Sequence, residues 1–269
     1  MVRQRFTLLI TALLLTCCWA NAQQQKFEGE LIYENTVTTN KTMRKLYPNL
    51  FKDGTYDMQY VIKGDLKKMS DTYAGLVQYE CKSKDTGYLV CPLLKRGYRY
   101  KLSQYRMQQE DQFRNWGGNS GKRTGEVKEV EGLECQHYKN RLQAKEGNGE
   151  CTVDYWVCRD FESEFIGLAK LEGLPVEVDY IQTMSLPLIG TLKQHQSITL
   201  TGSKRRVVDD EEMNPPSDYD YYISEDLNAT LIKLEKEIFK YMKKNHLEDA
   251  GVKIYHGKTD DPVLDDAWD

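Results

Sequence analysis

Residues 27–33, Phe-Glu-Gly-Glu-Leu-Ile-Tyr, begin a series of short runs in which apolar and polar side chains alternate. An alternation of period two is typical of a strand that buries one face and exposes the other. The series continues to Thr201, and turn signals such as Lys63-Gly64-Asp65 separate its members. The further predicted strands are 55–62, 76–83, 88–94, 99–105, 125–130, 133–142, 151–157, 176–182 and 196–201.

Two segments have helical spacing instead. Residues 159–172 place apolar side chains three and four positions apart and end at Gly173-Leu174-Pro175. Residues 226–245 give the strongest helical pattern of the chain, with lysines in the last turns. Its apolar stripe consists of Leu227, Leu231, Leu234, Ile238, Tyr241 and Met242. The Gln- and Gly-rich stretch 107–122 is expected to be an excursion or a loop.

This order of elements predicts a fold class. Many strands joined by connections of hairpin length favour a strongly curved antiparallel sheet or a barrel. We therefore expect a mainly β protein with helices (α+β), in which a curved antiparallel sheet or an open half-barrel is covered by one or two helices.

The first 22 residues have the pattern of a secretory signal peptide. Arg3 and Arg5 precede the apolar run 6–15, and Ala20-Asn21-Ala22 is a small-x-small cleavage site before Gln23. A membrane-spanning helix needs about 20 predominantly apolar residues, and this run is shorter. We expect cleavage between Ala22 and Gln23 and export to the periplasm or the extracellular space.

Two other readings of this leader stay open, a retained membrane anchor and lipid attachment at Cys17 or Cys18. The predicted organisation is a signal peptide at 1–22, a curved antiparallel β domain at 23–222 that contains the helix near 159–172, and a C-terminal helix with an acidic tail at 223–269.

Five cysteines follow the predicted cleavage site, and two disulfides with one free thiol are the simplest arrangement for an exported chain. If the loop Asp85-Thr86-Gly87 closes a hairpin, Cys81 lies opposite Cys91, within the range of a disulfide. We therefore expect a Cys81–Cys91 bond.

The second predicted disulfide joins Cys135 to Cys158, which a turn centred on Glu146-Gly147 would bring opposite each other. Other registers of that loop stay open. Cys151 would then be the free thiol, and it has no identifiable partner base that would make it a nucleophile.

The charged residues constrain the possible partners. The formal net charge of −4 argues against nucleic acid as a partner. The charge run 204–212 is most simply a solvated connection, and a docking patch is the alternative. The four histidines lack a second ligand at metal-binding spacing, so we expect no metal and no cofactor.

No catalytic constellation is recognisable in the sequence. The glycines of 115–121 lack the flanking strand and helix of a phosphate-binding loop, so a flexible loop is expected there. Tyr155 and Trp156 occupy neighbouring strand positions and therefore point to opposite faces. Either is a candidate for lining a groove, and the alternative is that it belongs to the core.

Several segments together resemble an uncharacterised secreted family of Bacteroidota that is classed as a domain of unknown function. The segments are FEGELIY at 27–33, VIKGD at 61–65, TGEVKEV at 124–130, GLECQHY at 132–138, VDYWV at 153–157, GLPV at 173–176 and NPPSDY at 214–219. That family is similar in fold to lipoprotein carriers of the LolA/LolB type. The resemblance implies an open antiparallel half-barrel closed by helices over an apolar cavity, and it implies no catalytic residues.

These observations favour an exported envelope protein that binds a lipid, an acyl chain or a lipidated protein in the groove of a half-barrel, with any membrane contact being peripheral. The alternative is a structural or protein-interaction protein whose sheet is filled by its own helix 226–245. A secreted hydrolase is a more remote hypothesis. The binding hypothesis predicts a large apolar cavity under the sheet, whereas the structural hypothesis predicts that the helix fills this space.

Overall fold

A computed structural model describes residues 27–46, 53–72 and 75–246. The predicted signal peptide, its cleavage site at Ala22 and Gln23, and the acidic tail lie outside these ranges. Within them, no helix has both the length and the apolar character needed to cross a membrane.

The described residues are mostly strands. The strands are β1 Gly29–Thr39, β2 Gly54–Lys63, β3 Leu66–Asp71, β4 Val77–Cys81, β5 Thr86–Cys91, β6 Arg96–Lys101, β7 Lys122–Val130, β8 Leu133–Gln143, β9 Gly149–Cys158, β10 Glu164–Ile166, β11 Ala169–Leu171, β12 Leu174–Leu186, β13 Gly190–Arg205 and β14 Asp220–Ile223. The α-helices are α1 Lys41–Leu46, α2 Leu102–Asn115 and α3 Leu227–Asn245.

Twelve strands form one open sheet in the order β14-β6-β5-β4-β3-β2-β1-β13-β12-β9-β8-β7, and β10 pairs with β11 as a separate hairpin. All neighbours in the large sheet are antiparallel except β14 and β6. The first predicted strand, β1, lies at the centre, where Gly29 pairs with Ile62 on one side and with Arg205 on the other. The predicted fold class is confirmed.

The sheet is strongly curved. Lys67 of β3 and Leu133 of β8 line one and the same cavity, although six strand steps separate the two strands. At about 4.8 Å per step, a flat sheet would hold them roughly 29 Å apart. We call the face that carries Tyr60, Lys67 and Tyr100 the inner face, because α2, α3 and the β10–β11 hairpin cover it.

Helix α2 bridges the two halves of the curved sheet. It begins directly after β6 and ends where Trp116 packs over Gly149 at the start of β9. The Lys145 amide donates a hydrogen bond to the Asn115 carbonyl at 3.1 Å and fixes this end of the helix. The sequence predicts a strand at 99–105 and a loop at 107–122, and both predictions are wrong over 102–115. Only Leu102 and Phe113 of the helix are buried, so it has no apolar stripe to detect.

Helix α3 confirms the prediction for 226–245. The Asp226 side chain caps it by accepting a hydrogen bond from the Ala229 amide at 3.0 Å. Lys243 and Lys244 stand in the last turn, and His246 ends the helix in a left-handed conformation. Its buried side chains, which pack with inner-face residues of β5 and β6, are Leu227, Leu234, Ile238 and Met242.

The predicted helix near 159–172 is absent, and the β10–β11 hairpin takes its place. Gly167 adopts a φ of +54° at the tip, where a helix would require a negative value. In β11, Ala169 and Leu171 are buried on either side of half-buried Lys170, which is the period of a strand. The apolar residues on either side of Gly167 are spaced three apart. This spacing is compatible with a helix and with a short hairpin, so the sequence pattern does not distinguish the two.

The β4–β5 hairpin differs from the predicted one. Its turn comprises Lys82 to Asp85, with the Asp85 amide donating to the Lys82 carbonyl at 3.0 Å. Asp85, rather than Gly87, takes the positive φ, at 47°. Gly87 lies inside β5 beneath the ring of Tyr100, where an added Cβ would come within 2.2 Å of the ring. The glycine therefore serves close packing and not the turn.

The predicted Cys81–Cys91 disulfide is therefore wrong. In the observed register Cys81 pairs with Thr86, and Cys91 pairs with Arg96 of the next strand. Tyr79 lies opposite Tyr88, and counting from this pair places Cys81 and Cys91 on opposite faces of the sheet.

The part of the charge run that follows β13, residues 206–212, folds back onto the outer face. Val208 and Met213 are buried against Val61, and Arg206 pairs with Glu212 at 2.6 Å. The run is thus a connection held by internal ion pairs.

Candidate functional site

A row of cavities follows the inner face of β2. Because side chains alternate along a strand, Tyr56, Met58, Tyr60 and Ile62 all point to this face. Ile62 lines a first cavity, Tyr60 a second, and Met58 with Tyr56 a third. At about 3.3 Å per residue, the row extends over roughly 20 Å.

The α3 cavity, named for the helix that covers it, has a volume of about 620 Å³. It lies between the sheet and the side of α3 that carries Ile232 and Glu235. Its apolar lining is made of Val37, Met43, Met58, Met184, Leu192 and Ile232. Met43 belongs to α1, which the side chain of Asn40 caps by accepting a hydrogen bond from the Met43 amide at 3.1 Å.

Polar side chains also line this cavity. Among them are the carboxyl groups of Glu235 and Asp71 and the amides of Asn35, Gln182, Gln194 and Gln196. Burial raises the pKa of Glu235 to about 7, and the charge of Asp71 adds to the effect. Lys193 also lines the cavity. Burial likewise raises the pKa of Tyr56 to about 12. Near neutral pH the Glu235 carboxyl can therefore gain or lose a proton, which changes the charge of the cavity.

The hairpin cavity lies at the other end of the row and has a volume of about 650 Å³. We name it for the chain segment 160–164 that leads into the β10–β11 hairpin and forms one wall. Its apolar lining consists of Phe27, Ile62, Leu66, Leu133, Phe161 and Leu174, and charged side chains from several elements surround this lining.

The middle cavity has a volume of about 590 Å³, and Lys67 is one of the charged residues that line it. Its ammonium lies 2.8 Å from Glu164 and 3.3 Å from Glu80, and its side chain is only 21% exposed. Burial alone would lower the pKa of Lys67, but the two carboxylates outweigh it and raise the pKa above its usual value. This ion cluster fastens the hairpin to the sheet.

The two aromatic residues that were candidates for the groove lie elsewhere. Tyr155 is fully buried and its ring stacks on Tyr138 at 5.3 Å. Trp156 points to the outer face, where its ring stacks on His137 at 4.5 Å. His137 lies 2.5 Å from Asp154. Neither Tyr155 nor Trp156 lines the three cavities.

The cysteines of the described residues are all thiols in the structure. Gln136 pairs with Val157, and continuing that register by one residue places Cys135 across from Cys158. The two side chains are buried. The Cys135–Cys158 bond stays a prediction. Burial raises the pKa of Cys151 to about 12, which disfavours the reactive thiolate at neutral pH.

Within the described ranges no group of three or more His, Cys, Asp or Glu side chains is arranged to hold a metal ion. No family model matches the sequence, and no curated protein matches it. The resemblance to LolA/LolB-type carriers therefore stays a prediction, and the geometry of the inner face is the basis for a function.

Sequence reasoning missed most residues of this face. Lys67 and Glu164 are 97 positions apart, and neither stands in a recognisable motif. The available signal was the alternation in β2, which places Met58, Tyr60 and Ile62 on one face.

Proposed function

We propose that the protein is an exported binding protein that holds a lipid or an acyl chain in the α3 cavity. The observation that carries the proposal is a cavity of about 620 Å³ between the sheet and α3, in whose lining six apolar side chains stand beside polar ones. Small-molecule sites are typically apolar clefts of about 300–1,000 Å³. The predicted signal peptide and the resemblance to LolA/LolB-type carriers support the same conclusion.

The lining suits an apolar chain of variable shape. Met43, Met58 and Met184 contribute thioether side chains, which adapt to irregular ligands. Each Å² of apolar surface removed from water contributes about 25 cal/mol. Ile232 on α3 is 48% exposed, so a ligand that covers it gains further buried area.

The second candidate is a structural or interaction protein whose own helix fills the sheet. It is favoured by the four side chains of α3 that are buried against the sheet, Leu227, Leu234, Ile238 and Met242. This stripe packs with residues of β5 and β6 such as Leu89 and Tyr100. The α3 cavity is lined instead by residues of other strands, such as Met58 of β2 and Met184 of β12. The helix therefore leaves the α3 cavity beside its buried stripe.

The test combines mass spectrometry of extracted protein with titration of the fluorescent probe N-phenyl-1-naphthylamine. We expect copurified lipid and saturable probe binding. Met58→Trp should weaken probe binding at least about tenfold by filling the cavity. Met107→Trp is the matched control, because Met107 is 61% exposed on α2 and its replacement should change nothing.

Thermal melts establish that the variants are folded, and Ile232→Trp repeats the experiment from the helix side if Met58→Trp unfolds. Wild-type protein that carries no lipid and binds no probe would reject the binding function and leave the self-filled sheet.

A further inference from the structure

Cationic side chains from four separate parts of the chain converge on the hairpin cavity. They are Lys67 of β3, Lys82 in the turn after β4, Arg106 of α2 and Arg205 at the end of β13. The curvature of the sheet brings these four elements together, although they are far apart in the sequence.

Carboxylates face these cations as well. Asp160, Glu162 and Glu164 come from the wall segment, whereas Asp65 comes from the turn after β2 and Glu80 from β4. Glu164 lies 2.8 Å from Lys67, and Glu162 pairs with Lys82 and lies 3.7 Å from Arg106. Glu162 is 56% exposed and Lys82 is 37% exposed. Ion pairs this exposed contribute little to stability, so the Glu162 carboxylate can be exchanged for another one at little cost.

The residue before Glu162 completes the pattern. Phe161 packs against Phe27 with ring centroids 5.5 Å apart and lines the apolar part of the cavity. The segment thus presents an apolar group to the cavity and a carboxylate to its cations. The site therefore already accommodates an apolar group next to a carboxylate, those of Phe161 and Glu162.

We propose that the hairpin cavity is a binding site for an amphiphile with a carboxylate head and an apolar tail, such as a fatty acid. The head replaces the Glu162 carboxylate on Arg106 and Lys82. The tail lies in the open volume between Phe161, Ile62 and Leu133. Glu162 is then an internal competitor that the ligand must displace.

This site is separate from the α3 cavity, so it does not depend on the proposed function. To distinguish binding in the hairpin cavity from binding in the α3 cavity, affinities are measured in the Met58→Trp variant, in which the α3 cavity is blocked. The probes are dodecanoate below its aggregation concentration, dodecanol as the tail without the carboxylate, and acetate as the carboxylate without the tail.

We expect dodecanoate to bind and the other two probes to bind at least about tenfold more weakly. Arg106→Gln should weaken dodecanoate binding by about tenfold or more, as expected for a lost hydrogen bond between charged groups. Glu162→Gln should strengthen it several-fold because the competitor is removed. Glu150→Gln is the matched control, since Glu150 pairs with exposed Arg141 at 2.5 Å, away from the cavity, and it should leave the affinity unchanged.

Equal affinities for dodecanoate and dodecanol would overturn the proposal. So would a Glu162→Gln variant with unchanged affinity. The proposal would also be overturned if Met58→Trp abolished dodecanoate binding and Arg106→Gln did not affect it. That result would place the ligand in the α3 cavity and agree with the proposed function.

Discussion

Replacement of Glu235 by glutamine should change how the stability of the protein depends on pH. Burial and the neighbouring Asp71 raise the pKa of this carboxyl from 4.5 to about 7 in the folded protein. Of the described residues that line its cavity, Tyr56, Asp71 and Lys193 also carry ionisable groups. The folded state therefore binds the proton of Glu235 more tightly than the unfolded state does.

The sign of the effect follows directly. Below pH 4.5 Glu235 is protonated in both states and costs nothing. Between pH 4.5 and 7 the unfolded state ionises first, so stability falls as the pH rises. Above pH 7 the full cost is present, and at about 1.4 kcal/mol per pH unit it amounts to about 3 kcal/mol. Glu235→Gln should remove this cost and stabilise the protein by up to that amount at pH 8, with little effect at pH 4.

The assay is urea unfolding of wild type and variant at pH 4, 6 and 8. Glu237→Gln is the control, because Glu237 lies on the same helix and pairs with Arg96 at 2.6 Å. Losing this pair, whose side chains are 34% and 36% exposed, should cost about 0–1 kcal/mol and leave the wild-type trend between pH 4.5 and 7 intact. If Glu235→Gln shows the same pH trend as wild type, Glu235 is not the group that titrates in the cavity and the argument fails.

Three further predictions concern the fold. Leu234→Ala should destabilise the protein by about 2–5 kcal/mol, because Leu234 is 1% exposed where α3 packs against β5 and β6; an unchanged melt would mean that α3 is a separate arm. Peptide mapping of non-reduced protein exported to an oxidising compartment should find Cys135 linked to Cys158, and mapping both as free thiols would refute the bond. Gly87→Ala should cost about 1–3 kcal/mol, since the new methyl group collides with the ring of Tyr100, and a neutral effect would contradict the assigned register.

Parts of the fold that depend on local periodicity could be predicted. The alternation in β2 and the stripe of α3 allowed the type and approximate bounds of both elements to be predicted, although Tyr241 of the predicted stripe is 40% exposed. Helix α2 could not be found this way, because it is positioned by contacts at its ends, at Leu102 and Trp116. The strands β10 and β11 have three residues each, and an alternation over so short a run could not be distinguished from the helical spacing of 159–172.

The cavities were beyond prediction for a different reason. The ion cluster of Lys67 joins β3 to β4 and to a segment 97 residues later in the chain, and no local pattern encodes such a meeting. The Cys81–Cys91 prediction failed by a shift of register alone. A glycine at position 87 is consistent with a turn and with close packing under Tyr100, and only the three-dimensional structure distinguishes the two.

The positions of the covering elements explain why the inner face retains open volume. Helix α3 packs its buried stripe against residues of β5 and β6, and α2 spans from the end of β6 to the start of β9. Between these contacts lie the central strands β1, β2 and β13, whose inner residues Leu31, Tyr33 and Tyr60 belong to the same apolar cluster as side chains of the β10–β11 hairpin. A curved sheet that is covered by separate helices and a short hairpin leaves gaps between the covering elements, and large side chains, water or a ligand fill these gaps. Tyr33 and Tyr60 fill part of that space with rings 5.4 Å apart, and the row of cavities along β2 is the part that they leave open.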